Sequence, residues 1–461
     1  MTAIPIMDDH RVRPLNDAPI RAPAKYVLYW AQVNRRVVSN HALAHAVELA
    51  NRAGLPVLFY EGLTYDYPYA SDRLHTFILE GVPDTERGLQ RLGIAYLFYL
   101  RRTRDDPNDI LYRLSKDAAA VVTDDYPVFP AQHYNATVPS KLDIPYYAVD
   151  SSCIVPMSCF EKREYAAYTI RPKIKRLLPN FLNPARSIRV RHRFRGKIPS
   201  FHTAVNPANI AELVASCDID HTVRLSPMFR GGASAARKRL RQFLKQNLHR
   251  YANLSNQPSE KATSGLSPYL HFGHISSLEM ALAVQAYGRE HKLVVDEFLE
   301  ELIVRRELAF NFARFAEHPE SIDSLPDWAR KTLAKHARDK RDPIYTRGQF
   351  DLAETHDPLW NAAQKELLLT GKIHGYYRMY WGKKILEWSS GPEEALATTI
   401  YLNDRYALDG RDPNSYASIL WCLGLHDRPW VERPIFGLVR YMSYGGMLRK
   451  TDVEAYVRSI E

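Results

Sequence analysis

Trp381 and Trp388 stand seven residues apart in the segment 371–388, Gly-Lys-Ile-His-Gly-Tyr-Tyr-Arg-Met-Tyr-Trp-Gly-Lys-Lys-Ile-Leu-Glu-Trp, whose content favours a helix. Seven residues make almost two turns, so the two indoles share nearly one face, about 10 Å apart along the axis. Trp360 opens the preceding helical stretch, Asp-Pro-Leu-Trp-Asn-Ala-Ala-Gln. Such spacing suits stepwise electron hopping between indoles and implies a buried redox partner. It also describes large apolar side chains filling a helical core, and from spacing alone both readings stand. A second chemical feature is Thr263-Ser264-Gly265-Leu266-Ser267, just before a helix that begins at Pro268. Hydroxyls, a glycine that lets backbone approach closely, and free N–H groups at a helix start suit a diphosphate. An ordinary capping loop has the same composition.

These residues need a scaffold, and the chain divides in character along its length. Residues 1–24, with four prolines and scattered charges, read as a flexible tail. From 25 to 159, short apolar strands at 26–30, 56–60, 95–99, 118–123 and 145–149 alternate with helical patterns such as 41–53 and 71–92. That alternation predicts a doubly wound, Rossmann-like α/β domain with a parallel sheet. No GxGxxG follows the first strand, so no dinucleotide site of the usual kind is signalled there. Residues 160–204 read as a linker in which twelve Lys and Arg face only Glu161 and Glu164. From 205 to 461 the pattern is all-α, with helices expected at 209–217, 234–251, 275–289, 296–315, 324–336, 375–389 and 393–406. A helical domain rich in aromatics suits burial of a large flat cofactor.

Composition narrows the class. A net charge of +10 and a pI near 9.2 favour an acidic partner such as nucleic acid, although mild basicity also serves solubility. Four isolated cysteines argue against a disulfide framework or a zinc site and fit a reducing cytoplasm. No signal-peptide core and no run of about 20 apolar residues is present, so no membrane role is expected.

Long motifs carry a resemblance. His-Asp-Pro-Leu-Trp-Asn-Ala-Ala-Gln (356–364), Gly-Lys-Ile-His-Gly-Tyr-Tyr-Arg-Met-Tyr-Trp (371–381) and Tyr-Leu-Asn-Asp-Arg-Tyr-Ala-Leu-Asp-Gly-Arg-Asp-Pro-Asn (401–414) resemble signatures of class II cyclobutane pyrimidine dimer photolyases. So do Ser-Pro-Tyr-Leu-His-Phe-Gly (267–273), His-Asp-Arg-Pro-Trp (426–430) and Arg-Tyr-Met-Ser-Tyr (440–444). The likeness runs from about residue 25 to the end and is densest after residue 264.

The resemblance implies an FAD-dependent enzyme in which light drives an electron from reduced flavin to a flipped dimer in DNA. It places the FAD diphosphate on Ser264, Gly265, Leu266 and Ser267, with Tyr251 nearby. Arg378, Asn403, Asp409 and Asp412 would surround the flavin ring, Arg378 supplying charge and Asn403 meeting N5; an Arg–Asp structural network is the competing account. Glu301 would hydrogen-bond the dimer, with Asn256, Arg305, Met379, Trp421 and Arg440 toward DNA and lesion. Trp381, Trp360 and Trp388 would reduce the flavin beforehand, Trp381 nearest to it and Trp388 nearest solvent. An antenna chromophore, a deazaflavin or another, would belong to the first domain. No metal is implied; the partner is dimer-containing DNA, and the expected form is a cytoplasmic monomer, nucleoid-associated in a prokaryote.

Two positions depart from the family pattern. Arg305 stands where some members present tryptophan, although a guanidinium can stack on a thymine face. It also forms an i,i+4 pair with Glu301, worth only tenths of a kcal/mol on an exposed helix. Ser255-Asn256-Gln257-Pro258 replaces Arg-Asn-Asp-Pro, so the arginine that pairs with the aspartate matching Asp427 is missing. The rival readings are a cryptochrome-like light sensor that keeps FAD, and a DNA-binding protein with a vestigial flavin site.

Overall fold

Strand β2 (Tyr26–Ala31) has the sequence Tyr-Val-Leu-Tyr-Trp-Ala, and β5 (Ala118–Asp124) is Ala-Ala-Ala-Val-Val-Thr-Asp. Neither alternates apolar with polar, and nearly every residue is buried, as expected of central strands covered on both faces. The computed structural model describes residues 10–460. With β1 (Val12–Pro14), β3 (Val57–Thr64), β4 (Ala95–Arg101) and β6 (Tyr146–Val149), they form one six-stranded sheet in the order β1-β6-β5-β2-β3-β4. All pairings are parallel except β1 on β6. The chain leaves β2 toward β3 on one side and returns to β5 on the other. That reversal opens a crevice at the carboxyl ends of the strands.

Helix α1 (His41–Ala53) covers the sheet through Leu43, Ala46, Val47 and Ala50, starting at Asn40, whose side chain accepts from Leu43 N, and stopping at left-handed Gly54. The single helix expected at 71–92 is two, α2 (Asp72–Leu79) and α3 (Val82–Leu92). Pro83 cannot donate to a preceding turn, and Gly81 packs so tightly that a Cβ there would meet His274 Nε2 at 2.6 Å.

Residues 1–9 of the expected tail lie outside the described residues, but residues 10–24 are not loose. Arg11 is buried and donates to the carbonyls of Asp150, Cys153 and Ile154, fixing β1 against β6. The basic segment is no simple linker either. Helix Ala167–Phe181 buries Ile170 and Ile174, and Arg171 makes a bidentate bond to Glu300.

Beyond residue 205 helices predominate. One expected helix, 296–315, is split by a π-helical segment, Glu300–Arg305, between Asp296–Leu299 and Arg306–Phe315. The helix expected at 234–251 stops at Gln246, followed by shorter turns. One apolar core joins both halves, running from Val27 and Phe59 of the sheet to Phe243 and Leu302 of the helices. Arg73 of α2 reinforces it, donating to the carbonyls of Arg224, Leu367, Leu368 and Tyr406.

Candidate functional site

A cavity of about 850 Å³ opens among the C-terminal helices. Of the residues singled out in the sequence, Tyr251, Asn256, Ser264, Gly265, Leu266, Ser267, Glu301, Arg305, Arg378, Met379, Trp381, Asp409, Asp412, Trp421 and Arg440 line it. Asn403 does not reach the wall. It is buried behind Ser415, its amide donating to Ser415 Oγ (3.2 Å) and Asp404 Oδ1 (3.0 Å).

Gly265 has φ +62°, and a Cβ there would press on the Arg239 guanidinium at 2.7 Å. Only glycine fits that turn without strain. It leads into the short helix Ser267–His271, whose first residue bonds through Oγ to Asp409 Oδ2 at 2.6 Å. Asp409 also accepts from Arg378 NH2 and Lys372 Nζ, both at 2.8 Å. Burial alone would raise its pKa, but the two cations overcome that and hold it well below the ordinary carboxylate range. Lys372 is pushed down by burial and held up in part by Asp409. This wall therefore carries two cations against one carboxylate, and buried Arg378 Nε has no partner in the protein. An anionic, hydrogen-bonding ligand suits it.

Asp412 behaves differently. Its Oδ1 caps helix Pro413–Trp421 through Asn414 N (2.8 Å), while Oδ2 takes Tyr126 OH (2.6 Å) and His271 Nδ1 (3.2 Å). Burial opposes ionisation, but these donors bring its pKa to about 2. Oδ1 is thus committed to the helix cap and Oδ2 to Tyr126 of the first half and His271 of the second, while the residue still lines the cavity.

Trp381 forms part of the cavity wall on helix Gly375–Trp388. Behind it Trp360 stacks at 6.3 Å between ring centroids with planes 8° apart, and Trp388 meets Trp360 at 6.4 Å. The indoles are locked: Trp381 Nε1 donates to Gln364 Oε1 and Trp360 Nε1 to Trp381 O, each at 3.0 Å. Trp360 from the neighbouring helix thus bridges the gap between two residues on one helix. Trp388 is itself only 4% exposed, but the exposed His356 lies 4.8 Å from its ring.

The exposed rim holds Asn256, Glu301 and Arg305. Glu301 sits on the π-helical segment with its side chain exposed, and desolvation on its cavity side raises its pKa against the pull of Arg305. The expected i,i+4 pair is loose: Arg305 Nε lies 4.0 Å from Glu301 and 3.7 Å from Glu300, because π geometry brings i+5 rather than i+4 into line. Glu301 thus keeps only a long contact to Arg305 and lines the cavity. Farther round, Arg440 binds Asp427 with both Nε (2.8 Å) and NH2 (3.0 Å), and its guanidinium lies 4.2 Å over Trp430 and 5.5 Å from Trp421. Where Ser255 cannot reach Asp427, Arg440 satisfies it. Beneath Trp421, buried Lys383 lies 4.8 Å from the ring, its pKa lowered by burial to about 8.

The sequence reading missed Lys372, Arg239 and Lys383. Lys372 lies within a quoted motif, but it precedes the helix that carries Arg378, so no helical spacing links the two. Only the fold brings both onto Asp409.

A second cavity, about 450 Å³, lies in the crevice at the sheet's switch point. It is lined by Trp30, Tyr60, Tyr99, Tyr134, Arg101 and Lys141, among others.

A sequence model of the DNA photolyase family matches residues 27–189. The deoxyribodipyrimidine photo-lyase of Methanothermobacter thermautotrophicus is 42% identical over 98% of this chain and 98% of its own. Among solved structures, a Synechocystis cryptochrome superposes with a TM-score of 0.72 at 16% identity, covering 94% of this chain and 88% of that one. An archaeal photolyase from Sulfolobus tokodaii, described with two FAD molecules, gives 0.66 at 16% identity over 94% and 89%. The chain belongs to the DNA photolyase family.

Proposed function

We propose that this chain is a deoxyribodipyrimidine photo-lyase that uses light to split cyclobutane pyrimidine dimers in DNA, with FAD in the larger cavity. Near-full-length identity to a relative of that name supports the reaction. The observation that carries the site assignment is the stack from cavity wall to periphery, Trp381 to Trp360 to Trp388. A core without redox work has no need of three indoles in series ending against a ligand cavity.

The residues fit a flavin dinucleotide. The volume is in the usual range for a bound cofactor. Gly265 opens a close backbone approach, Lys372 and Arg378 favour an anion, and the orphaned Arg378 Nε calls for an acceptor. Ser264, Gly265, Leu266 and Ser267 would hold the diphosphate, with Arg378 and Asp409 at the ring. When bound, reduced FAD supplies the photoexcited electron that opens the cyclobutane ring. Glu301, with its raised pKa, would donate to or accept from a base carbonyl edge. Met379 and Trp421 would face the flipped bases, and Arg440 would meet the strand. We assign the second cavity to a flat antenna chromophore, since aromatic walls with a cationic margin suit one. Class II membership remains part of the proposal, resting on the motifs.

Purified protein should take up FAD at about one per chain and bind dimer-containing DNA more tightly than undamaged DNA. Failure to retain FAD would remove the central assumption. Equal affinity for both DNAs at every salt concentration would favour the vestigial reading.

A further inference from the structure

Residues 186–197 take part in neither cavity. Arg186, Arg189, Arg191, Arg193, Arg195 and Lys197 are all exposed, while Ile188, Val190 and Phe194 turn toward the core. No Asp or Glu occurs anywhere from 165 to 211. Among the described residues none of the six cations is in an ion pair. Surfaces kept only for solubility interleave both signs.

The row is fixed in place. Asn51, near the end of α1, donates to Arg189 O (2.8 Å) and accepts from Arg191 N (2.9 Å). The Phe194 ring packs 6.1 Å from that of Tyr26, and the Arg193 stem covers Gly93, the C-cap of α3. Just beyond, Thr203 N bonds Phe98 O on β4 at 2.8 Å. Six like charges held this way repel one another, a cost that a polyanion would reverse with little loss of backbone freedom.

The arrangement selects the polyanion. In non-helical chain, alternate residues lie at most about 7 Å apart. Phosphates of one DNA strand advance about 3.4 Å along the axis while winding round it, which sets neighbours roughly 7 Å apart, the order of spacing of such a file. The chain bends at 191–192 and 196, which curves the row. A lipid surface would call instead for apolar side chains to insert. Among large apolar residues here only Ile198 is exposed, at 37%.

We infer that residues 186–197 form a second DNA-binding surface, one that grips the phosphodiester backbone through this row of cations without reading the lesion. It extends the repair reading to how the enzyme holds DNA away from the cavity, but its test stands apart from that reading. The full-length protein and a variant with Arg189, Arg191, Arg195 and Lys197 all changed to Gln are titrated with undamaged and dimer-containing duplex across a salt series. The slope of log affinity against log salt should shrink by roughly 0.9 for each phosphate contact removed, equally for both duplexes. Changing the three arginines to Lys instead should keep the slope. An unchanged slope in the Gln variant overturns the inference. So does an equal loss in the Lys variant, which would make the effect structural. Loss of binding to phosphatidylserine vesicles with DNA binding intact overturns it in favour of a membrane. The lesion preference of the unaltered protein, read in the same titration, tests the repair assignment by itself.

Discussion

Trp381, between cavity and Trp360, is where packing and electron transfer make opposite demands. Trp381→Phe keeps most of the apolar volume and removes the oxidisable indole. Light-driven reduction of bound oxidised FAD should slow by about tenfold or more, a barrier change of at least about 1.4 kcal/mol. Protein carrying chemically reduced FAD should still repair. Transient absorption on the flavin checks this; unchanged photoreduction would leave core packing as the account of the indoles. His374 sets a pH limit. It caps helix Gly375–Trp388, Nδ1 accepting from Tyr376 N at 3.2 Å, and burial lowers its pKa to about 4. The unfolded chain takes up that proton near pH 6.5, so the unfolded state binds more protons between those values. Stability present above pH 6.5 should fall by up to about 3 kcal/mol as pH drops toward 4. His374→Asn keeps a capping acceptor and should flatten that part of a denaturant-measured pH profile.

Among elements, helix Gly375–Trp388 shows packing overruling propensity. Gly382 inside it should cost about 1 kcal/mol relative to Ala. Yet a Cβ there would meet Cys422 Sγ at 2.7 Å, so overpacking of about 1–3 kcal/mol should make Gly382→Ala net destabilising. Adding Cys422→Ala should recover the loss, and a double-mutant cycle by denaturant unfolding measures the coupling. The parallel strands were legible because Val, Tyr, Leu and Ala run almost unbroken through β2 and β5. The motifs at 356–364 and 371–381 likewise pointed to the indoles before any fold was known. What stayed hidden has physical causes. β1 is three residues ending in proline and exists only because Arg11 and β6 hold it. The π segment at 300–305 carries no propensity mark, since nothing in Glu-Glu-Leu-Ile-Val-Arg distinguishes i+5 from i+4 bonding. That Asn403 stands behind Ser415 could not be read either, because a motif gives a residue's neighbourhood, not the direction of its amide.

For the whole molecule, the close fit between sheet and helical half is the feature most exposed to disruption. Gly273, at φ +66°, lies so near β2's following loop that a Cβ would stand 2.1 Å from Val33 O. Gly273→Ala combines left-handed strain of about 1–2 kcal/mol with overpacking of about 1–3 kcal/mol. Thermal unfolding should shift down accordingly, and an unchanged midpoint would mean the halves yield there without cost. The central claim is that this fold uses light to reverse dimers, and its most direct measurement is repair itself. Full-length protein loaded with reduced FAD is mixed with dimer-containing DNA and divided between blue light and darkness. Intact pyrimidines should reappear only in the lit sample, and Glu301→Ala should lower the yield per absorbed photon. Equal dimer content in light and dark, with FAD bound and reduced, would contradict the account.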